Sequence, residues 1–184
     1  MSAGIGIVES AYLLARYQWV EERLFEILGG WAVREPDPHV KLVLGPDAAR
    51  HAEHAAVWAR LRPDVREAGP SGPEAPGPGT EALFAAVWAL DAPAQTIERL
   101  VAVYRVVLPA MVARYEAHRA RVTALADGPV IGALERVTAE ERARVEVAEA
   151  LLQSASAAVD ATERALRLQE IMADLLETSD GLTR

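Results

Sequence analysis

Residues 131–176 read IGALERVTAEERARVEVAEALLQSASAAVDATERALRLQEIMADLL. In this stretch apolar or small residues return after three and then four positions, so they share one face of an α-helix. No proline interrupts the pattern. A single helix of this length would measure about 70 Å at 1.5 Å per residue. The stretch therefore predicts an all-α protein in which this segment either reverses near Ser154–Ser156 or projects from a helical bundle.

The same helical spacing extends through most of the remaining chain, and no segment has the alternating pattern of a strand. Proline and glycine mark where helices begin, end or bend. We predict four long helices over about residues 8–33, 38–62, 91–126 and 129–154, with a kink or short break at Gly45-Pro46 and a kink at Pro109.

The connections between these helices predict the topology. The first two helices and the last two are joined by short turns, so each pair forms an antiparallel hairpin. Residues 66–80 are rich in Gly and Pro and are predicted to be a mobile crossover loop, followed by a small helix over 81–90. We predict a bundle over residues 1–154 and a C-terminal helix over residues 155–184.

Composition and charge exclude several classes of function. The chain has 184 residues, which suits one domain, and a formal net charge of −8 at pH 7. Without a basic stripe, this charge argues against nucleic acid and anionic membranes as partners. The sequence has no cysteine, which removes disulfides, thiolate metal ligands and thiol nucleophiles. Its start does not resemble a signal peptide, so we expect a cytoplasmic protein.

Polar residues at inward positions near the middle of several helices are the candidates for a functional site. Glu22 lies on the predicted apolar stripe of the first helix, and Glu141 occupies a core position of the heptad pattern. His51 and His54 are three residues apart on one helix face, where neutral imidazoles can bind one transition metal. We predict these four residues as metal ligands.

Three further residues complete the predicted site. Asp47 lies one turn before His51 and could accept its second ring proton or act as a ligand. Tyr115 and His118, on the inward stripe of the third helix, are predicted to line the pocket as catalytic residues.

The candidate ligands resemble the motif of ferritin-like di-iron carboxylate proteins, in which a Glu from each of two helices joins a Glu-x-x-His motif from each of two others. Glu22 matches the first-helix Glu, His54 the His of the second-helix motif, and Glu141 the Glu of the fourth-helix motif. The chain departs from the pattern at His51, where the motif has Glu, and at Arg144, where it has His.

The third helix offers no clear fourth carboxylate, because Glu98 lies off the inward stripe. The resemblance implies a ferritin-like four-helix bundle with one long crossover. It also implies a bound iron or manganese ion and an oxidoreductase or oxygenase that activates dioxygen or peroxide.

Each candidate also has a purely structural interpretation. His51 and His54 can be hydrogen-bonded histidines at the edge of the core. Glu141 completes a Ser/Thr-x-x-Glu capping pattern with Thr138, and Asp47 can complement the dipole of a helix that restarts before it. Under these interpretations the chain is a non-catalytic ferritin-like scaffold or interaction module.

Two predictions concern partners. A small molecule could bind in an apolar pocket near Tyr104, Met111 and Tyr115. The C-terminal helix is predicted to associate with a second copy of the chain, because a projecting apolar stripe would otherwise stay exposed. The predicted contact stripe, which we call the seam, consists of Leu152, Ala155, Val159, Thr162, Leu166, Gln169, Ala173 and Leu176.

Overall fold

The computed structural model describes residues 4–155 and 159–178, which form helices and their connecting segments with no strand among them. Short 3₁₀ turns lie at Arg66–Ala68 and Pro93–Gln95, and a π-helical segment at Val101–Val107 joins two α-helices. The helices are α1 (Ile7–Arg34), α2 (Pro38–Leu61), α3 (Pro78–Trp88), α4 (Thr96–Leu100), α5 (Leu108–Arg119), α6 (Ala124–Ala155) and α7 (Val159–Thr178). The prediction of an all-α protein is confirmed.

Helices α1 and α2 form the predicted hairpin and pack together along their length. Asp37 caps α2, since its carboxylate accepts a hydrogen bond from the backbone N–H of His39 at 2.8 Å, and Pro38 occupies the first turn. The prediction at Gly45-Pro46 was a kink or a short break, and no break occurs. Helix α2 runs through Pro46 without interruption, so its face continues in register to the two histidines.

The crossover between α2 and α3 lies against α1. The backbone N–H of Glu74 donates to the carbonyl of Ala15 at 3.2 Å, which fixes the loop at its middle. Helix α3 begins at Pro78 rather than at residue 81, because proline is well suited to the first helical turn.

The third long helix of the prediction is shorter than the predicted 91–126 and runs without a gap from Thr96 to Arg119, with a π-helical segment inside it. Helices α4 and α5 are joined by the π-helical segment Val101–Val107, which ends just before Pro109. Proline lacks an N–H and its ring crowds the carbonyl four residues earlier, so the wider π turns lie where a regular α-helix would be strained. The segment places Tyr104 in the core.

The C-terminal stretch forms two helices, α6 and α7, and not one long projecting helix. Helix α7 packs against α3, α4 and the π segment, and Arg164 Nε of α7 lies 2.8 Å from Glu98 Oε1 of α4. Of the two arrangements that the sequence left open, the structure has the helix that packs on its own chain and not the projecting one. Pairing with a second copy through this helix stays a prediction.

The heptad register holds in α6 and fails in α7. In α6, Leu134, Glu141 and Leu152 are buried as predicted. In α7 the buried residues are Ala165 and Met172, whereas the predicted seam residue Leu166 is 54% exposed. The phase changes because α7 is a separate helix on a different surface. Ser156 and the side chains of Ala155, Val159 and Thr162 lie outside the described residues.

The core is continuous among the long helices, and its fully buried members include Leu14, Leu24, Trp58, Leu100 and Leu134. Within the described residues, no helix is long and apolar enough to cross a membrane. The buried residues also include charged side chains, among them Glu21, Glu35, Asp47, Arg99 and Glu141.

Candidate metal centre

Four titratable side chains converge in the core from three helices. Glu21 comes from α1, His51 and His54 from α2, and Glu141 from α6. One potential ligand atom from each lies within 4.8 Å of the other three. No side chain of the four is more than 2% exposed. We call these four residues the metal cluster.

The distances within the metal cluster are short. His51 Nδ1 lies 2.5 Å from Glu21 Oε2 and 3.5 Å from Glu141 Oε1. His54 Nδ1 lies 2.9 Å from Glu141 Oε1 and 3.6 Å from Glu21 Oε1. Each imidazole thus faces both carboxylates through its Nδ1 atom.

Burial and charge act in opposite directions on these groups. Burial disfavours the charged form of His54, but the carboxylates of Glu141, Glu21 and Glu140 outweigh it and raise the pKa of His54 to about 10. The pKa of His51 is also raised: burial lowers it, and the charges of Glu141 and Glu21 reverse that effect. Without a metal ion the imidazoles are therefore the cations that balance the carboxylates.

The pKa of Glu21 shows the same competition from the acidic side. Burial alone would raise it, yet the charge of His51, a hydrogen bond from it and the contact with His54 lower the pKa to about 2. Glu21 is therefore a carboxylate at neutral pH, which is the form that binds a metal ion.

Two outer groups orient the metal cluster. Tyr115 Oη on α5 donates to Glu21 Oε1 at 2.5 Å, and burial together with the charge of Glu21 raises the pKa of this tyrosine well above its usual value. Glu140 Oε2 lies 2.7 Å from His54 Nε2. The Nδ1 atom of His54 therefore points into the cluster while its other nitrogen is held by a carboxylate, as in many metal-binding histidines.

A second charged group lies one helical turn away. Asp47 precedes His51 by four residues on α2, and Arg144 follows Glu141 by three on α6. Asp47 Oδ1 lies 2.6 Å from Arg144 Nε, and Tyr104 Oη donates to Asp47 Oδ2 at 2.6 Å. Asp47 is thus neither a helix-dipole partner at a restart nor in direct contact with the imidazoles; it forms an ion pair with Arg144.

One predicted ligand requires correction. Glu22 lies outside the metal cluster, where it accepts a hydrogen bond from Gln18 at 2.8 Å, and Glu21 takes the position predicted for it. The inward stripe of α1 runs through Tyr17, Glu21 and Leu24 instead of the stripe through Gln18 and Glu22. The signal was available, because the same stripe continues to Leu28 and Trp31.

The other predicted residues have mixed outcomes. His51, His54 and Glu141 meet as expected, and the capping interpretation of Glu141 is wrong because α6 runs through it without a new start. Tyr115 contacts the cluster through Glu21.

His118 lies elsewhere, beside the ring of Tyr17 at 5.7 Å between ring centres. Both of its ring nitrogens are buried without a hydrogen-bond partner. We predicted it to line the pocket with Tyr115, but it makes no contact with the metal cluster.

The donor set is suited to a transition-metal ion. A metal ion bound to nitrogen and oxygen at about 2.1 Å in a tetrahedral site holds its ligand atoms about 3.4 Å apart. The longer contacts of the cluster, at 3.5 and 3.6 Å, match this spacing, whereas the contacts at 2.5 and 2.9 Å would lengthen when an ion replaces the protons between them. Glu141 Oε1 and His54 Nδ1 lie 2.9 Å apart as an ion pair, although neither makes a hydrogen bond of regular geometry. The second oxygen of Glu141, Oε2, is also buried without a hydrogen bond.

The chain matches no model of a protein family, and neither curated proteins nor solved structures gave a match. The geometry of the metal cluster is therefore the observation on which its function is argued.

Proposed function

We propose that this protein binds one transition-metal ion in its core through Glu21, His51, His54 and Glu141. The observation that carries the proposal is the convergence of four side chains, none more than 2% exposed, with one potential ligand atom from each within 4.8 Å of the others. Two imidazoles and two carboxylates at one buried point are a donor set that a transition-metal ion can use. A metal ion bound there would replace the protons of the imidazoles as the positive charge beside Glu21 and Glu141.

The ligand types narrow the identity of the metal. Two imidazoles and two carboxylates suit iron, manganese or zinc, and the absence of cysteine removes the ligands that thiophilic ions prefer. We propose iron or manganese as the resident ion and a ferritin-like bundle as the architecture. Ligands from α1, α2 and α6, with Tyr115 from α5, support this assignment.

Metal content of protein purified without added metal, measured by elemental analysis, tests the proposal. We expect near-stoichiometric metal in the wild type and in Glu22→Gln, and background levels in Glu21→Gln. The two substitutions are adjacent on α1 and remove the same charge, so a difference between them reports the position of the ligand. Equal metal content in the two variants, or background metal in the wild type after dialysis against Mn²⁺, Fe²⁺ and Zn²⁺, would overturn the proposal.

A redox activity is the second candidate function, and Tyr115 is the observation that favours it. Its hydroxyl contacts Glu21 directly, and its ring lies 4.8 Å from Tyr17 and 5.3 Å from Trp58. An iron or manganese ion would supply one-electron chemistry beside these aromatic side chains. Consumption of dioxygen or peroxide by the metal-loaded protein tests this activity. Bound metal without such consumption would favour the non-catalytic scaffold.

A further inference from the structure

We propose that Arg144 is a built-in cation that takes the place of a second metal ion, so that the core binds one ion and not two. The inference rests on the proposed metal cluster. It concerns the neighbouring layer of the core, in which α2 and α6 bring a third buried carboxylate and an arginine together.

The layer that contains Asp47 and Arg144 lies next to the metal cluster. Asp47 lies one turn from His51 on α2 and Arg144 one turn from Glu141 on α6. These two residues meet at 2.6 Å. The layer thus adjoins the metal cluster along both helices, one turn from His51 and from Glu141.

The buried charges balance when one divalent ion is bound and Arg144 is present. A divalent ion with neutral imidazoles balances the carboxylates of Glu21 and Glu141. The third carboxylate, Asp47, is 1% exposed and would be uncompensated without Arg144. The guanidinium supplies that positive charge from within the chain.

Without Arg144, this layer would offer carboxylate oxygens to another cation. Asp47 Oδ1 lies 2.6 Å from Arg144 Nε, and Tyr104 Oη donates to the other oxygen of Asp47 at 2.6 Å. One turn away, Glu141 has two oxygens, and its Oε1 lies toward the imidazoles of the metal cluster. Without the arginine, the buried Asp47 carboxylate would need another cation, and a second divalent ion is the cation that oxygen ligands bind.

The experiment counts bound ions with Mn²⁺ as the probe, in the wild type and in Arg144→His. The histidine removes the permanent charge and supplies a nitrogen ligand at the same position. We expect one Mn²⁺ per wild-type chain with the electron paramagnetic resonance of an isolated ion, and two per Arg144→His chain with an exchange-coupled spectrum. Arg142→His, an exposed change two residues away, is the control and should retain one ion.

Two further variants separate charge from structure. Arg144→Lys keeps the positive charge and should retain one ion, whereas Asp47→Asn with Arg144→His removes the new ligand and should return the count to one. A folded Arg144→His that binds one ion at saturation would overturn the inference, as would two ions in Arg144→Lys.

The wild type alone also tests the inference if Arg144→His fails to fold, because an exchange-coupled Mn²⁺ pair in the wild type would contradict it. No bound ion in the wild type would instead contradict the proposed metal cluster itself, so the two failures are distinguishable.

Discussion

Two groups of buried charge among the described residues, one around Arg99 and the other the metal cluster, differ in whether their side chains can bind a metal ion. At one end of the core, Arg99 donates to Glu35 at 3.0 Å and to the backbone carbonyls of Leu90 and Ala92 at 2.8 and 2.9 Å. The other oxygen of Glu35 accepts from Thr96 Oγ1 at 2.8 Å. In this network each charged atom has a partner.

The metal cluster is the opposite case. It brings two carboxylates against two imidazoles, with one potential ligand atom from each within 4.8 Å of the others. The positive charge of the Arg99 network is a guanidinium, which stays protonated and closes the network without a metal ion. The imidazoles of the metal cluster can lose their protons, and all four of its side chains can then coordinate a metal ion. Burial of charge alone therefore does not indicate a metal site, whereas the convergence of buried groups that can all act as ligands does.

The largest expected effect comes from breaking the Arg99 network. Arg99→Met leaves the Glu35 carboxylate buried without its cation and should lower the free energy of unfolding by about 3–5 kcal/mol. Arg105→Met is the control, because the Arg105 side chain is 30% exposed in its pair with Glu149 and should contribute at most about 1 kcal/mol. Urea unfolding measures both. Similar losses in the two variants would contradict the contrast between buried and surface pairs.

His118 is a different case. Both of its ring nitrogens are buried without a hydrogen-bond partner, and it belongs to neither group. Burial and the charge of Arg121 lower its pKa to about 4, although Asp127 and Glu9 act in the opposite direction. The unfolded chain binds a proton near pH 6.5. The wild type should therefore lose about 3 kcal/mol of stability from this residue as the pH falls from about 6.5 to 4.

His118→Phe should remove that component, because phenylalanine binds no proton in either state and keeps a ring beside Tyr17. The measurement is the free energy of unfolding at several pH values, with His39→Gln on the exposed start of α2 as the control. A pH profile of His118→Phe that is as steep as that of the wild type would show that His118 is not the origin of the loss.

Metal binding should stabilise the folded protein only when the metal cluster is intact. At a free ion concentration of about 100 times Kd, the free energy of unfolding should rise by about 2.7 kcal/mol in the wild type and in Glu22→Gln. Glu21→Gln should show no such gain. Unfolding in the presence and absence of the ion measures the effect. A gain of the same size in Glu21→Gln would place the bound ion elsewhere.

The smallest effect concerns the group that orients Glu21. Tyr115→Phe removes the hydroxyl that donates to Glu21 and should weaken metal binding roughly tenfold, which is at the lower end of what outer partners contribute. Competition with a chelator measures the affinity. Tyr12→Phe, elsewhere on α1, should leave it unchanged, and an unchanged affinity in Tyr115→Phe would mean that the hydrogen bond does not support the site.

The sequence predicted three of the four cluster residues because local geometry places them. His51 and His54 share a helix face whatever surrounds that helix, since they are three residues apart. Glu141 is buried because the heptad register around it is regular. Glu21 was missed because α1 is apolar on more than one side, so its neighbours in sequence fit two stripes that differ by one residue.

By itself, the sequence determined the helices, their approximate ends and the inward position of the two histidines. These features follow from spacing, capping and proline, which act within a few residues of the chain. Only the tertiary structure decided that Glu21 faces the histidines, that Arg144 meets Asp47 and that α7 packs on its own chain. The physical reason is that the rotation of one helix against another, and the surface on which a helix packs, depend on contacts between residues far apart in sequence. A change of one position in register exchanges a buried ligand for a surface residue.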